Sequence, residues 1–171
     1  MGYTHYYSFV PASPEFRSAF PQLLADTRQI LDDLTAKGVP TAGPMGDGQP
    51  MLTANVIAFN GVGPEDDYES FALETGQDPS IARHAPDGQT FVWTFCKTAR
   101  RPYDLAVAAV LLRAKQLAPR HVALSSDGRW NDEWLAARAL VEELFGPLDF
   151  AADPLREPSV DGPAAVRGID G

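Results

Sequence analysis

The chain has 171 residues, of which 44% are hydrophobic and 22% are charged, so it is long enough for one globular domain and too short for two. Its formal net charge of −9 predicts no general binding to nucleic acids or to membrane surfaces, because phosphate-rich partners are repelled at long range. A single cysteine excludes an internal disulfide and a four-cysteine zinc site. The sequence has no signal-peptide pattern and no apolar run of about 20 residues, and we therefore expect a cytoplasmic protein.

The N-terminal part of the chain predicts a strand followed by a long helix. Aromatic residues and threonine dominate residues 3–9, a composition that favours a strand. Ser13 followed by Pro14 is typical of a helix N-terminus. Apolar residues then recur at spacings of three and four up to Leu34, and Gly38 stands where a C-terminal cap is expected.

A loop and two further strands are predicted next. Residues 38–50 contain several glycines and prolines, which indicates a loop. A second strand is expected over residues 52–59, ending at the turn signal Asn60-Gly61. A third strand is expected over residues 68–74, with its apolar side chains on one face.

The clearest strand pattern lies in the second half of the chain, at residues 90–96, where large apolar side chains alternate. Pro102 opens a helix whose following turns are apolar on all sides, which predicts deep burial. A short strand at residues 121–125 follows. Asn131 is a suitable N-cap for a third helix that ends before Gly146.

The order β-α-β-β-β-α-β-α predicts an α/β (α+β) domain, with a single mixed sheet of about five strands and three helices. A ferredoxin-like split of the same elements is the alternative. Residues 1–147 are expected to form this domain, and the Pro-, Asp- and Gly-rich residues 148–171 an extended or loosely packed tail. In the mixed sheet three strands end at one edge, where open α/β sheets bind ligands.

One segment at that predicted edge favours an anion site. A strand runs into a loop that carries the cations Lys97, Arg100 and Arg101, and then into the N-terminus of a helix. Free amides at a helix N-terminus attract anions, and nearby cations reinforce this. Thr98 and Asp104 complete the candidate ligand-binding set in this segment. The alternative is that the cations pair with acidic residues elsewhere and remain solvated.

Candidate catalytic and binding residues surround this segment. Cys96 is a nucleophile candidate whose thiolate the cations would stabilise, or else a small buried core residue. His5 is a candidate general base, or else a half-buried histidine with satisfied hydrogen bonds. Glu69 begins a strand at the same predicted edge and is a candidate acid or base. Asn60 and Asp127 lie at strand ends and are candidate ligand-binding residues, although Asp127 before glycine is also typical of a turn.

Two motifs of the chain resemble a family of small bacterial and phage proteins without an established function. They are Gly2-Tyr3-Thr4-His5-Tyr6-Tyr7 and Phe95-Cys96-Lys97-Thr98-Ala99-Arg100-Arg101-Pro102-Tyr103-Asp104. The similarity continues to about residue 145. It implies no activity, but it implies a family pattern that includes the candidate residues His5, Asn60, Glu69, Cys96, Lys97, Arg100 and Asp104. Tyr68 stands where members of the family often have Cys or His, so no metal or thiol role is expected at that position.

These observations predict a site for an anionic small molecule, nucleotide-like or phosphorylated, at the carboxyl edge of the sheet. The sequence leaves open whether the site only binds or also catalyses. It identifies no cofactor, and no candidate residues have the spacing of a metal site. The alternative is a non-catalytic acidic protein-interaction factor of the phage-accessory type. A third hypothesis is a dimeric module that uses the aromatic residues of the first strand.

Overall fold

The structure is a computed structural model that describes residues 2–76 and 82–155. The strands of this part of the chain form two antiparallel sheets, one with the order β5-β6-β1-β7 and one with the order β2-β3-β4. The elements are, in chain order, β1 (Thr4–Phe9), α1 (Pro14–Ala36), β2 (Met51–Leu52), β3 (Val56–Phe59), β4 (Phe71–Glu74), β5 (Ala82–His84), β6 (Thr90–Lys97), α2 (Asp104–Leu117), β7 (Val122–Ser126) and α3 (Leu135–Phe145).

Local sequence signals account for both ends of α1. The Ser13 side chain accepts a hydrogen bond from the Phe16 amide at 3.3 Å, and Pro14 is the first helical residue, as the pattern predicted. The chain leaves the helix through Gly38, whose φ of 87° is readily adopted only by glycine. The apolar stripe of the helix is buried, from Phe16 to Leu34.

Helix α2 lies at the centre of the core. Its residues Ala106 to Leu112 are all buried, because α1, α3 and β7 all pack against it. A helix that is covered on all sides needs apolar residues all round, which is the pattern seen in the sequence.

The two faces of the four-stranded sheet have different surroundings. β1 pairs with β6 and β7 in antiparallel register, with His5 opposite both Cys96 and Ser126. Because side chains alternate between faces, Tyr7 and Phe9 point into the main core. Tyr6, directly before Tyr7, points to the opposite, outer face.

The predicted α/β (α+β) class with three helices is confirmed, but the strands form two sheets instead of one. β1 lies between β6 and β7, and β5 pairs with the other edge of β6. No edge beside β6 therefore remains for β3, and β3 pairs only with β2 and β4. The predicted second strand is also interrupted at residues 53–55, and β5 was not predicted.

Two further details differ from the sequence analysis. α3 begins at Leu135, and Asn131 does not cap it; its side-chain oxygen instead accepts a hydrogen bond from Arg138 at 2.9 Å. Of the predicted tail, Leu155 forms a parallel bridge with Leu124, and residues 156–171 lie outside the described residues. Among the helices that the structure describes, none is long and apolar enough to cross a membrane.

Candidate functional site

A hydrogen-bonded chain of three side chains lies where β1 begins and β7 ends. The His5 ring, which is fully buried, has Nε2 at 2.8 Å from Asp104 Oδ1 and Nδ1 at 2.9 Å from Ser126 Oγ. A carboxylate only accepts hydrogen bonds, so we infer that Nε2 carries the proton and donates to Asp104. Nδ1 then accepts the hydroxyl proton of Ser126.

The serine end of this chain is closed. Ser126 Oγ also accepts hydrogen bonds from Trp134 Nε1 at 3.1 Å and from the Gly128 amide at 2.9 Å, so its one donor and two acceptor positions are all used. The rings of Tyr3 and Trp134 stand edge-on to the His5 ring, each at 5.1 Å between centroids. Ser126 therefore has no free position from which to attack a substrate.

Gly128 and Tyr3 complete this enclosure. A Cβ atom at position 128 would lie 2.1 Å from the Tyr3 hydroxyl oxygen, so only glycine leaves room for the tyrosine. Burial raises the pKa of Tyr3 to about 12, and the nearby charge of Asp104 contributes in the same direction. Tyr3 is therefore a neutral wall of the site at physiological pH.

The aspartate end of the chain is open. Asp104 Oδ1 accepts hydrogen bonds from His5 and from the Thr98 hydroxyl, whereas Oδ2 has no hydrogen-bond partner among the described residues. The Asp104 side chain is 22% exposed. The carboxylate is thus fixed by two donors and still presents one oxygen to the surface.

The loop before α2 has an unusual backbone. Ala99 and Arg100 both have left-handed conformations, with φ values of 51° and 61°, which cost about 1–2 kcal/mol for residues with a side chain. The amides of Thr98 and Ala99 hold the loop by donating to the Tyr3 carbonyl at 3.0 and 3.1 Å. The Arg101 amide donates to the Thr98 carbonyl at 3.0 Å.

The three cations of the predicted anion site have different environments. Arg100 stacks on the Tyr3 ring at 4.1 Å and lies 3.8 Å from Glu133, yet its side chain is 61% exposed. Lys97 Nζ lies 5.4 Å from the centre of the Tyr68 ring. Arg101 is exposed, and its side chain makes no hydrogen bond or ion pair within residues 2–76 and 82–155. The two arginines are thus the accessible cations of the loop.

The environment of Cys96 argues against the hypothesis that it is a nucleophile. Its thiol is fully buried and donates to the Glu69 carbonyl at 3.3 Å. Burial raises the pKa of the Cys96 thiol to about 12, and the charge of Glu69 adds to this effect. A reactive cysteine requires an accessible thiolate, and Cys96 has the surroundings of a core residue.

Glu69 joins the two sheets. Its carboxylate accepts a hydrogen bond from the Lys97 amide at 2.7 Å, and its own amide donates to the Lys97 carbonyl at 3.2 Å. Its carbonyl oxygen also accepts a hydrogen bond from the Tyr103 hydroxyl at 2.6 Å. These contacts fix the end of β6 beside the start of β4, so Glu69 has a structural role in joining the two sheets.

Asn60 and Asp127 also hold backbone in place. The buried Asn60 side chain accepts from the amides of Gly61 and Tyr68 and donates to the carbonyls of Tyr68 and Pro44, which uses its full hydrogen-bonding capacity. Asp127 Oδ2 accepts from the Thr4 amide at 2.9 Å. These contacts give both side chains the role of clamps between chain segments.

Sequence reasoning missed Tyr3, Ser126 and Trp134 as members of the site. Tyr3 stands in the N-terminal motif and Ser126 directly follows a predicted strand, but no signal in the sequence links Trp134 to the site. Ser126 lies opposite His5 because of the strand register. Elsewhere, clefts of about 490 Å³ beside Arg17 and about 250 Å³ beside Arg28 are lined by none of the site residues. Among the described residues no group of three or more His, Cys, Asp and Glu side chains is arranged to hold a metal ion.

We compared the chain with known protein families, curated proteins and solved structures. No protein-family model, curated protein or solved structure matches it.

Proposed function

We propose that residues 97–104 bind an anionic small molecule, nucleotide-like or phosphorylated, where β6 and β7 end. The observation that carries the proposal is the pair of left-handed residues Ala99 and Arg100, directly before the exposed Arg101. Backbone strain of this kind persists where the surrounding structure enforces it, and it concentrates at functional sites. Here it holds two arginines at the surface in front of α2.

Local electrostatics favour an anion at this place despite the net charge of −9. Arg101 has no charged partner among the described residues, and Arg100 has only the 3.8 Å contact with Glu133. The first turn of α2 adds partial positive charge from its amides. Asp104 offsets part of this field, but its Oδ1 is already engaged by His5 and Thr98.

Asp104 is the group best placed to exchange a proton or a hydrogen bond with a bound ligand. Its Oδ2 has no hydrogen-bond partner among the described residues, and the side chain reaches the surface. His5 and Ser126 lie behind it and act as positioning residues, because His5 is fully buried. In this proposal Asp104 takes the proton-transfer role for which His5 and Glu69 are the candidates from the sequence.

Titration calorimetry with inorganic phosphate, pyrophosphate and adenosine 5′-monophosphate tests the proposal. Arg101→Ala and Arg100→Ala are each expected to weaken binding at least about tenfold, since a hydrogen bond to a charged group contributes roughly 1.5–3 kcal/mol. Arg28→Ala removes an exposed arginine from α1 and is the matched control, with affinity unchanged. No binding of any of the three anions, or equal affinities in all variants, would contradict the proposal.

The acidic protein-interaction factor remains the second candidate, on one observation. Met45, Val62 and Tyr68 are exposed by 84%, 41% and 45%, on two loops joined by the hydrogen bond from the Gly63 amide to the Gly46 carbonyl. The acidic residues 65–67 lie in the second of these loops. A partner bound there through charge should dissociate steeply as ionic strength rises, which pull-down at graded salt concentrations would measure.

A further inference from the structure

The outer face of the four-stranded sheet carries a cluster of aromatic rings that the proposed anion site does not use. Tyr6 lies opposite Phe95 across β1 and β6, and Trp93 is two residues before Phe95 on the same face. The three ring centres are separated by 6.1–6.3 Å. Phe95 is 46% exposed, and Tyr6 and Trp93 are half-buried. The rings thus form a continuous aromatic surface on the two central strands, which we call the aromatic face.

Cations accompany these rings, and the strands of the sheet contain no acidic residue. Arg83 on β5 lies 5.4 Å from the centre of the Trp93 ring, and Lys97 follows Phe95 by two residues, on the same face of β6. The four strands of this sheet contain no aspartate or glutamate, although the chain has 23 acidic residues. The strands that carry the aromatic face therefore contribute positive but no negative side chains.

This charge pattern distinguishes between possible occupants. In a symmetric dimer each face would meet its own copy, which would bring Arg83 and Lys97 of both copies together without an acid in these strands to pair with them. A single-stranded nucleic acid offers both required features, flat bases for the rings and phosphates for the cations. Stacking aromatics on a four-stranded sheet are also a recurrent means of binding unpaired bases.

We propose that the aromatic face binds short single-stranded nucleic acid, with bases stacked on Phe95, Trp93 and Tyr6 and phosphates beside Arg83 and Lys97. The inference shares only Lys97 with the proposed anion-binding segment 97–104, because the three rings lie on the opposite side of the sheet from His5. The net charge of −9 repels polyanions at long range, so stacking supplies most of the affinity and double-stranded DNA is excluded.

Fluorescence anisotropy of fluorescein-labelled oligo(dT) and oligo(U), titrated with the full chain at low salt, tests this inference. Phe95→Ala is expected to weaken binding at least about fivefold, because stacking of one base contributes at least that factor. Leu135→Ala removes a similarly exposed apolar side chain from α3, where Leu135 is 51% exposed, and should leave the affinity unchanged. Circular dichroism establishes that both variants are folded.

Salt dependence tests the contribution of the cations. Two phosphate contacts predict a slope of about −1.4 for the logarithm of the binding constant against the logarithm of salt concentration. Arg83→Ala should reduce that slope to about −0.7, whereas Arg129→Ala, an arginine outside the aromatic face with a 78% exposed side chain, should not change it.

Three results would overturn the inference. The first is no binding of either oligonucleotide at low salt, and the second is binding that Phe95→Ala leaves intact. The third is a dimer in analytical ultracentrifugation that Phe95→Ala converts to a monomer, since the occupant would then be a second copy of the chain. Failure of the anion site would appear separately, as loss of phosphate binding with oligonucleotide binding unchanged.

Discussion

The two ends of α2 each contribute to a cluster around a carboxylate, and the clusters differ in whether an oxygen is left free. Near the C-terminal end, Arg113 Nε lies 2.6 Å from Asp26 Oδ2, and Gln22 donates to Oδ1 at 2.7 Å. Asp26 is only 4% exposed, so this cluster is closed. At the N-terminal end, both donors to Asp104 converge on Oδ1 and leave Oδ2 without a partner among the described residues.

This difference gives Asp26 a role in packing and leaves Asp104 available for a ligand. A buried carboxylate with both oxygens engaged and a guanidinium partner joins α1 to α2 and has no capacity for a ligand. A carboxylate held by one oxygen is equally well oriented but retains an acceptor position at the surface. The strained loop and the exposed arginines lie beside the second carboxylate, which is why the proposed function is assigned to that end of the helix.

Breaking the closed cluster should have the largest effect on stability. Asp26→Ala leaves the half-buried Arg113 guanidinium, whose side chain is 17% exposed, without its charged partner, and is expected to lower the free energy of unfolding by about 3 kcal/mol. Urea denaturation monitored by circular dichroism measures this. The double variant Asp26→Leu/Arg113→Met removes both charges and should recover most of the loss. Equal losses in the single and double variants would show that the pair contributes through packing alone.

Raising the pH should have the second-largest effect on the free energy of unfolding. The pKa of Cys96 is raised to about 12 from an ordinary value of 9.0, so the folded state holds the thiol proton more tightly than the unfolded state. The associated stability is complete below pH 9 and is lost as pH rises from 9 to 12. At pH 10.5 the expected loss from Cys96 is about 2 kcal/mol, and Tyr3 adds to it above pH 10.

Urea denaturation between pH 8 and pH 10.5 measures this loss, and Cys96→Ala provides the comparison. That variant should show a flatter alkaline profile than the wild-type chain, whatever its stability at pH 8. Native Cys96 should also resist labelling by a thiol reagent at pH 8 and react once urea unfolds the chain. Rapid labelling of the folded protein would mean that the thiol is accessible and would restore the nucleophile hypothesis.

Relieving the strained loop should have the smallest effect, with the opposite sign. Ala99→Gly is expected to raise the free energy of unfolding by about 1 kcal/mol, because glycine adopts a positive φ without the steric cost that alanine has. Gly38→Ala is the matched reverse change, since Gly38 has a φ of 87° and open space around its Cβ position, and it should destabilise by a similar amount. Thermal unfolding measures both. If strain serves the anion site, Ala99→Gly should also weaken phosphate binding.

Much of the local structure could be predicted from the sequence, because the signals for it are local. The Ser13-Pro14 start of α1, its end near Gly38 and the burial of α2 follow from capping, glycine conformation and apolar periodicity. The sequence also predicts a site at residues 95–104, since a strand, a cationic loop and a helix start are adjacent there, and this stays a prediction. β5 was missed because a three-residue strand at the edge of a sheet has too few residues to show a period.

Local patterns in the sequence specify the three helices, most of the strands and the position of the loop cations along the chain, since these depend on neighbours within a few residues. The connection of His5 to Asp104 and Ser126, which lie 99 and 121 residues away along the chain, depends on the tertiary structure. The burial of Cys96 and the common outer face of Tyr6 and Phe95 also depend on the tertiary structure. These features depend on strand register, and a shift of one residue would exchange the two faces of β1. Register is selected by the packing of the whole core, which no local pattern in the sequence specifies.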